Sequence, residues 1–289
     1  MAPSESANNR TQKGPAPRGE PTEKKFGSVG IASIKEMLPS VRERLLRMHR
    51  EAGVGHVGGN LSCLDALLTL YGSLLRPNDR FILSKGHSAG ALYVTLWALG
   101  RLSEDDLATF HGEGTLLAGH PPSAGLEDVP FATGSLGHGL PLAAGMALAA
   151  RYQQVDRRVF CMTSDGEWQE GSMWEALIFA AHHRLGNLRI LVDANGLQAF
   201  GSVSDVASME PLGDCFAGFA VNVVTVDGHD PAAIEASVRE LSCDRPAVII
   251  LKTVKGKGVA RFEGRIESHY LRIGEDESCG PCSAKPIHA

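Results

Sequence analysis

Two oxygen-bearing side chains, Asp165 and Asn195, each follow a short apolar run, and thirty residues separate them. A helix-like segment lies between the runs, as in parallel strands joined by a crossover helix. Such strands end at the same edge of a sheet, so the two side chains are expected to face each other. A carboxylate and an amide oxygen, with no Cys or His beside them, suit Mg²⁺ or Ca²⁺ rather than zinc. The pair predicts a hard-cation site completed by phosphate oxygens and water.

Both residues also have a purely structural interpretation, with Asp165 as a helix cap and Asn195 as the start of an Asn-Gly turn. The histidines favour a ligand site instead. Five of the eleven directly follow a glycine, whereas 33 glycines among 289 residues predict about one such pair. Glycine lets the backbone approach a ligand closely, so these loops are expected to present imidazoles to a polar, hydroxyl-binding pocket. The five are His56, His87, His120, His138 and His229.

The elements that must position these residues alternate between helices and strands. This alternation predicts an α/β fold, a doubly wound and mostly parallel sheet with helices on both faces. The predicted helices span 31–52, 61–72, 88–100, 138–153, 171–184 and 231–241, and the predicted strands span 80–84, 158–163, 188–193, 222–226 and 247–253.

Local signals refine this outline. A Gly-rich break over 53–60 separates the first two helices, and Ser103 is expected to cap a short helix with acids in its first turn. Residues 111–133 form a long loop, which is typical of a functional segment. The helix over 171–184 is expected to lay one apolar face on the sheet. The residues of that face are Trp174, Leu177, Ile178 and Ala181.

Composition excludes several classes of protein. The net charge is −5, and 43% of the residues are hydrophobic. No basic block suggests nucleic acid, and no apolar stretch approaches the roughly 20 residues that span a bilayer. Six cysteines do not form a disulfide framework in a chain of this length, and no secretory signal is evident, so a cytoplasmic protein is expected. We predict a disordered lead over 1–26, one domain over 27–272 and a polar tail over 273–289.

The residues around Asp165 resemble a known motif. "SDGEWQEGSMWEA…LRILVDANG" is similar to the thiamine-diphosphate motif, which runs Gly-Asp-Gly, about thirty residues, then Asn. "AGVGHVGGNLSCLDALLTLY", "RFILSKGHSAGALY", "ATGSLGHGLPLAAGMALAARY", "VDGHDPAAIEASV" and "AVIILKTVKGKGV" follow in the order of the amino-terminal half of transketolase. The resemblance covers residues 30 to 270, and it implies the thiamine-diphosphate-binding fold.

The resemblance also implies roles for matching positions. Asp165, Asn195 and the carbonyl of Leu197 would hold Mg²⁺, which clamps the diphosphate of thiamine diphosphate. Gly166 and Asn195 would contact that diphosphate. His87 and the segment Gly134, Ser135 and Leu136 would line the cofactor. His56 and His120 would lie beside the reacting carbon and contact substrate hydroxyls, and His269 would be the late active-site histidine that touches both cofactor and substrate.

Three positions depart from the family pattern. Ser164 stands where the family has glycine, His138 where it usually has glutamine, and Tyr270 where glycine is frequent after the histidine. None removes the cofactor assignment. Together they leave open whether the substrate is an ordinary pentose phosphate.

The family also needs a second, pyrimidine-binding domain that supplies a glutamate, and nothing in the 289 residues resembles it. The resemblance therefore implies the diphosphate-binding subunit of a split transketolase. Its partner would be a separate carboxyl-terminal subunit in an α₂β₂ assembly, and its substrates would be sugars or sugar phosphates.

Two motifs near the end of the chain are less specific. Cys279 and Cys282 have the spacing of a redox or zinc pair, but in a polar tail an incidental exposed pair is favoured. "KTVKGKG" is either a solvated basic turn or a loop that shapes the substrate entrance before His269.

Two other functions stay open at this point. One is a thiamine-diphosphate enzyme that decarboxylates 2-oxo acids or forms acyloins, although the Gly-His loops favour a polyol substrate. The other is a non-catalytic scaffold subunit, which the retained Asp165, Asn195 and histidines disfavour.

Overall fold

The centre of the fold is a sheet of five parallel strands, and the computed structural model describes residues 28–274 and 277. The strands, in chain order, are β1 (Arg80–Leu83), β2 (Val159–Ser164), β3 (Leu188–Ala194), β4 (Leu197–Gln198), β5 (Gly201–Ser202), β6 (Asn222–Asp227) and β7 (Ala247–Lys252). The sheet has the order β1-β2-β3-β7-β6, while β4 and β5 form a small antiparallel hairpin. The direction of chain progress reverses between β3 and β7, where open α/β sheets bind ligands.

Helices cover both faces of the sheet, as predicted. They are α1 (Ile31–Ala52), α2 (Val57–Thr69), α3 (Ala89–Ala98), α4 (Glu104–Ala108), α5 (Gly139–Tyr152), α6 (Gly171–His182), α7 (Val203–Ala207), α8 (Leu212–Ala217), α9 (Pro231–Glu240) and α10 (Glu267–Tyr270). Side chains of a strand alternate between faces. In β2, Phe160 and Met162 pack with α1, α2, α3 and α9, whereas Val159 and Cys161 pack with α5, α6 and α8. Two apolar cores therefore enclose the sheet.

The predicted strands all occur and differ from the observed bounds by one residue at most. The α/β class is confirmed because every neighbouring pair in the five-stranded sheet is parallel. Ser103 caps α4 as expected, since its hydroxyl accepts the amide hydrogen of Asp106. Between α4 and α5 the described chain has no helix or strand, so the long loop is also present.

The start of the second helix was predicted too late. α2 begins at Val57, so Gly58 and Gly59 are helical rather than part of a break. A side chain at Gly58 would collide with Ser268, and one at Gly59 would press on Ser88 and His87. These glycines therefore let α2 pack closely against α10 and the turn that precedes α3.

The predicted inner face of α6 is partly wrong. Leu177 and Ala181 are buried and Trp174 is partly buried, but 54% of the Ile178 surface is exposed. The helix instead turns Met173, Ala176, Leu177 and Ala180 inward. Apolar residues surround much of α6, so two overlapping stripes fit the same spacing. The small alanines select the inner stripe because they allow close approach to the sheet.

Some predictions concern residues outside the described range. These are the lead over 1–26, most of the tail after residue 273, and the pair Cys279 and Cys282. Among the described cysteines, Cys63, Cys161, Cys215 and Cys243 are all free thiols. Within residues 28–274, no helix has both the length and the hydropathy of a membrane span.

Candidate functional site

Asp165 and Asn195 lie together at the carboxyl edge of the sheet, after β2 and β3. The Asp165 carboxylate accepts the amide hydrogen of Gly196 at 2.6 Å and that of Gly166 at 2.8 Å. The Asn195 side-chain oxygen accepts the Leu197 amide hydrogen at 3.1 Å. Asp165 also caps the 3₁₀ turn Gly166–Gln169, so its structural role and its place beside Asn195 coexist. The three residues predicted as metal ligands, Asp165, Asn195 and Leu197, thus lie next to one another at this edge of the sheet.

A buried ion pair lies next to the Asn195 side chain. The Lys85 ammonium contacts the Asp193 carboxylate, and both side chains are almost completely buried. Asp193 also accepts hydrogen bonds from Ser62 and Thr253, and one of its oxygens lies 3.3 Å from the Asn195 amide nitrogen. Burial acts to raise the pKa of Asp193, but Lys85 and these donors hold it below the ordinary value. The amide nitrogen of Asn195 is therefore directed towards Asp193, and its oxygen faces the Leu197 amide.

Nothing in the sequence singles out Asp193. The only signal for Lys85 was its place in "SKGH", directly before a Gly-His pair. A pairing across 108 residues depends on strand order, which the sequence leaves open.

Three histidines form a cluster beside this edge. The ring centroids of His56 and His269 are 4.6 Å apart, and His87 lies 6.2 Å from His56 and 6.0 Å from His269. His56 has φ 63°, a left-handed conformation that costs a non-glycine residue free energy, and its amide donates to the His269 carbonyl. A strained backbone at this point fits a functional position.

The histidines of the cluster are held neutral. Burial, followed by the charge of Lys255, lowers the pKa of His269 to about 4. Burial, followed by the charge of Lys85, lowers the pKa of His87 well below its usual value. Burial, followed by His120, lowers the pKa of His56. Neutral imidazoles have one donor and one acceptor each, which suits the binding of hydroxyl groups.

His120 and the segment Gly134–Leu136 line the adjoining wall. A side chain at Gly134 would lie 3.1 Å from the His120 ring, so the two segments are in contact. This loop also packs on the turn that carries His87, because a side chain at Gly86 would lie 2.9 Å from the Gly134 nitrogen. Gly166 is similarly close to Gln198 of the β4–β5 hairpin. The segments that carry His87, His120 and Gly134 are therefore packed against one another.

Glu167 is a buried carboxylate that connects the residue after β1 with the loop before α5. Its carboxylate accepts the Ser84 hydroxyl at 2.5 Å and the Gly137 amide at 2.8 Å, and burial raises its pKa. Residue types alone do not mark Glu167 as part of a site, although it follows Asp165 and Gly166 directly.

Lys255 connects the two halves of the site. Its ammonium donates to the Leu197 carbonyl at 3.1 Å and lies 3.2 Å from the His269 Nδ1 atom. Only 3% of its surface is exposed, and burial lowers its pKa to about 8. No carboxylate of the described residues forms an ion pair with it. Lys255 is therefore not part of a solvated basic turn, because it is a buried cation in contact with two of the predicted site residues.

The remaining Gly-His residues lie elsewhere. His138 is exposed, and its Nδ1 atom contacts the Leu136 carbonyl at 3.0 Å. His229 contacts Asp65 rather than the histidine cluster. Ser164 has an ordinary strand conformation, so serine is unstrained there. The Tyr270 hydroxyl donates to the Ala199 carbonyl at 2.6 Å, which links α10 to the β4–β5 hairpin.

The donor set fits a hard cation. Burial raises the pKa of Asp165 to about 6, and a cation bound to the carboxylate would favour its ionised form. The described residues contain no group of three or more His, Cys, Asp or Glu side chains that could hold a metal. A single carboxylate with amide and carbonyl oxygens is how Mg²⁺ is held when phosphate and water complete its shell. A cavity of about 210 Å³ opens beside Asp165, Asn195 and Thr253, and none of the histidines lines it.

One protein family matches nearly the whole described chain. The sequence model of the transketolase, thiamine diphosphate-binding domain matches residues 35–280. One subunit of the apulose-4-phosphate transketolase of Phocaeicola vulgatus is 36% identical over 79% of this chain and 85% of its own length. The 6-deoxy-6-sulfo-D-fructose transketolase subunit SqwG of a Clostridium species is 35% identical over 82% and 90%.

Solved structures agree with these relatives. The transketolase of Campylobacter jejuni superposes with a TM-score of 0.77 at 31% identity, covering 85% of this chain and 41% of that one. The transketolase of Leishmania mexicana gives a TM-score of 0.76 at 25% identity, with 86% and 40% covered. The chain thus spans most of the length of the subunits and about two fifths of the solved transketolases.

Proposed function

This chain belongs to the family of the transketolase thiamine diphosphate-binding domain, and we propose that it is the diphosphate-binding subunit of a two-chain transketolase. The reaction is the transfer of a two-carbon ketol unit from a ketose to an aldose-type acceptor. One observation carries the proposal. The buried Lys255 ammonium joins the predicted metal ligands to the histidine cluster, because it contacts the Leu197 carbonyl and lies 3.2 Å from the His269 ring.

The oxygen side of the cleft suits the diphosphate of the cofactor. Asp165, Asn195 and the Leu197 carbonyl would hold Mg²⁺, and Gly166 would allow the diphosphate to approach the backbone. The Lys255 ammonium is available as a further positive charge for phosphate oxygens. When bound, thiamine diphosphate supplies the electron sink that cleavage of a carbon–carbon bond next to a ketone requires.

The histidine side of the cleft suits a sugar. His87 and the segment Gly134, Ser135 and Leu136 would line the cofactor, and His56, His120 and His269 would contact substrate hydroxyls. With a pKa of about 4, the ring of His269 is neutral near pH 7. Its Nδ1 atom faces the Lys255 ammonium and accepts its hydrogen, so the other ring nitrogen carries a hydrogen and would donate to a substrate oxygen.

The substrate is a ketose with a charged end, such as a sugar phosphate. Two relatives support this choice, since they are named for a sugar phosphate and a sulfonated sugar. The same names describe those proteins as subunits. We therefore place a separate pyrimidine-binding carboxyl-terminal subunit beside this chain, in an α₂β₂ assembly with the site at the interface. Cytoplasmic localisation remains a prediction.

The decisive experiment is ketol transfer by the chain and its partner subunit together. The complex, supplied with thiamine diphosphate and Mg²⁺, should convert ketose and aldose phosphates, and neither chain alone should do so. Asp165→Ala should abolish both Mg²⁺-dependent cofactor binding and transfer. Asp156→Ala is the matched control, because the Asp156 side chain is 86% exposed.

Three results would contradict the proposal. They are transfer by the single chain, full activity of the Asp165→Ala complex, and decarboxylation of 2-oxo acids without ketol transfer.

A further inference from the structure

His229 is a largely buried Gly-His residue that the cleft does not account for. Its side chain is 13% exposed and lies between α2 and the loop after β7. The preceding glycine makes this position possible. A side chain at Gly228 would lie 2.9 Å from the Leu251 side chain, so only glycine lets β6 end this close to β7. Gly228 therefore allows the His229 imidazole to reach the loop that follows Lys252.

The two ring nitrogens of His229 have different partners. The Nε2 atom lies 2.9 Å from the Val254 amide nitrogen and must accept that hydrogen, since a backbone N–H is only a donor. The Nδ1 atom lies 3.1 Å from the Asp65 carboxylate and must donate. These contacts select the neutral tautomer with its proton on Nδ1.

Asp65 is itself fixed. It is 3% exposed, and one guanidinium nitrogen of Arg42 contacts both of its oxygens, at 2.9 and 3.1 Å. This charge-assisted contact holds the Asp65 carboxylate beside α1. The contacts form a continuous series from α1 through α2 and His229 to the Val254 backbone.

Val254 directly precedes Lys255, the cation that reaches both Leu197 and His269. We propose that His229 is a positioning residue, which fixes the Val254 backbone and thereby holds the Lys255 ammonium in the cofactor cleft. This inference rests on the proposed function for the ligand of Lys255. The hydrogen bond to Val254 does not depend on that ligand.

Two substitutions separate the ring nitrogens. In His229→Gln the side-chain oxygen replaces Nε2 and keeps the acceptor for Val254, while the donor to Asp65 is lost. In His229→Asn the amide replaces Nδ1 and keeps the donor, while the acceptor is lost. Each variant loses one hydrogen bond, so their melting temperatures should fall by similar amounts. A purely structural role predicts no difference between them in cofactor affinity.

The first readout needs no cofactor. Amide hydrogen exchange of the full chain in complex with its partner should become faster at Val254 in His229→Asn and stay near the wild-type rate in His229→Gln. The second readout is thiamine diphosphate affinity in the presence of Mg²⁺. His229→Asn should weaken it by about two- to tenfold, the range of one hydrogen bond, and His229→Gln should not.

A Lys255→Met background tests whether the effect passes through Lys255. In that background His229→Asn should cause no further loss of cofactor affinity, because coupled residues are not additive. Equal exchange at Val254 in the two variants, or additive losses of affinity, would overturn the inference. A wild-type complex that binds no thiamine diphosphate would refute the proposed function, and the exchange rates would still decide whether His229 holds Val254.

Discussion

At the scale of single residues, the site depends on a buried ion pair between Lys85 and Asp193. Lys85 is 1% exposed and Asp193 is fully buried, so each is stable only because the other neutralises it. The pair has a second consequence, since Asp193 also fixes the amide of Asn195. The same contact thus serves stability and the orientation of a predicted metal ligand.

Asp193→Asn should therefore destabilise the chain strongly. Removing one partner leaves the Lys85 ammonium buried without its counter-charge, and such changes cost about 3–5 kcal/mol. Urea unfolding of the chain would measure this loss. The double variant Lys85→Met/Asp193→Asn should recover a part of it, because no isolated charge remains. A double variant less stable than Asp193→Asn would contradict this account.

Residue types and spacing predicted one half of the site better than the other. Asp165 and Asn195 could be placed together because each ends a strand, and parallel strands end at one edge. The Gly-His pattern indicated His56 and His87, whereas His269 could be identified only through the family resemblance. Lys255 and Glu167 could not be found, because their importance comes from burial and from partners far along the chain. His229 shows the reverse case, since its Gly-His spelling indicated a pocket that the structure places elsewhere.

At the scale of elements, α4 is a short helix that depends on its amino-terminal cap. The Ser103 hydroxyl accepts the Asp106 amide hydrogen at 3.0 Å, and the Asp106 carboxylate accepts the Ser103 amide at 2.8 Å. Ser103→Ala should lower the free energy of unfolding by about 1 kcal/mol. Ser103→Thr, which keeps the hydroxyl, should be close to wild type. Chemical denaturation would measure both, and equal losses would show that the cap contributes nothing.

α1 carries a histidine that makes stability depend on pH. His49 is 1% exposed, and burial, partly offset by its bond to the Leu45 carbonyl, lowers its pKa from 6.5 to about 4. Between pH 6.5 and about pH 4, the unfolded chain binds a proton at His49 that the folded chain does not bind. Stability is therefore fully present above 6.5 and is lost as the pH falls towards 4.

This residue should contribute a loss of about 2 kcal/mol between about pH 7 and about pH 5. His49→Gln removes the titrating group, so its unfolding free energy should fall less over the same interval. Urea unfolding of both chains at the two pH values would measure the difference. Parallel pH dependences would contradict the assignment to His49.

Element type was predictable and element packing was not. Alternating apolar runs placed all five strands, and the acids after Ser103 placed α4. The start of α2 failed because glycine normally ends helices, whereas here Gly58 and Gly59 admit Ser268 and His87. The face of α6 failed because its apolar residues extend around the helix. Both errors concern what an element packs against, which local sequence does not encode.

At the scale of the whole molecule, strand order determines the site. β7 follows β6 in the chain but lies between β3 and β6 in the sheet, so Thr253 and Lys255 come to stand beside Asn195. No local pattern specifies that insertion. The isolated chain leaves two of the predicted substrate-contacting residues, His56 and His120, exposed. We therefore expect the site to be completed by another chain.

The outer face of α6 indicates a second contact with another chain. Ile178 is 54% exposed and Phe179 is 39% exposed, and Tyr152 at the end of α5 is 78% exposed. Exposed apolar side chains that form a contiguous patch mark interaction surfaces, and we predict that these three do so. Ile178→Lys should therefore weaken assembly, because the interface would have to bury an unpaired charge.

The stability of the chain itself should change by less than about 0.5 kcal/mol, since the side chain already lies in water. Ala32→Lys places the same residue on the exposed face of α1 and serves as the control. Sedimentation velocity of the two-subunit complex would compare the variants. A shift to smaller species with Ile178→Lys alone would assign α6 to the interface. Wild-type sedimentation of both variants would contradict the prediction and show that assembly does not use the outer face of α6.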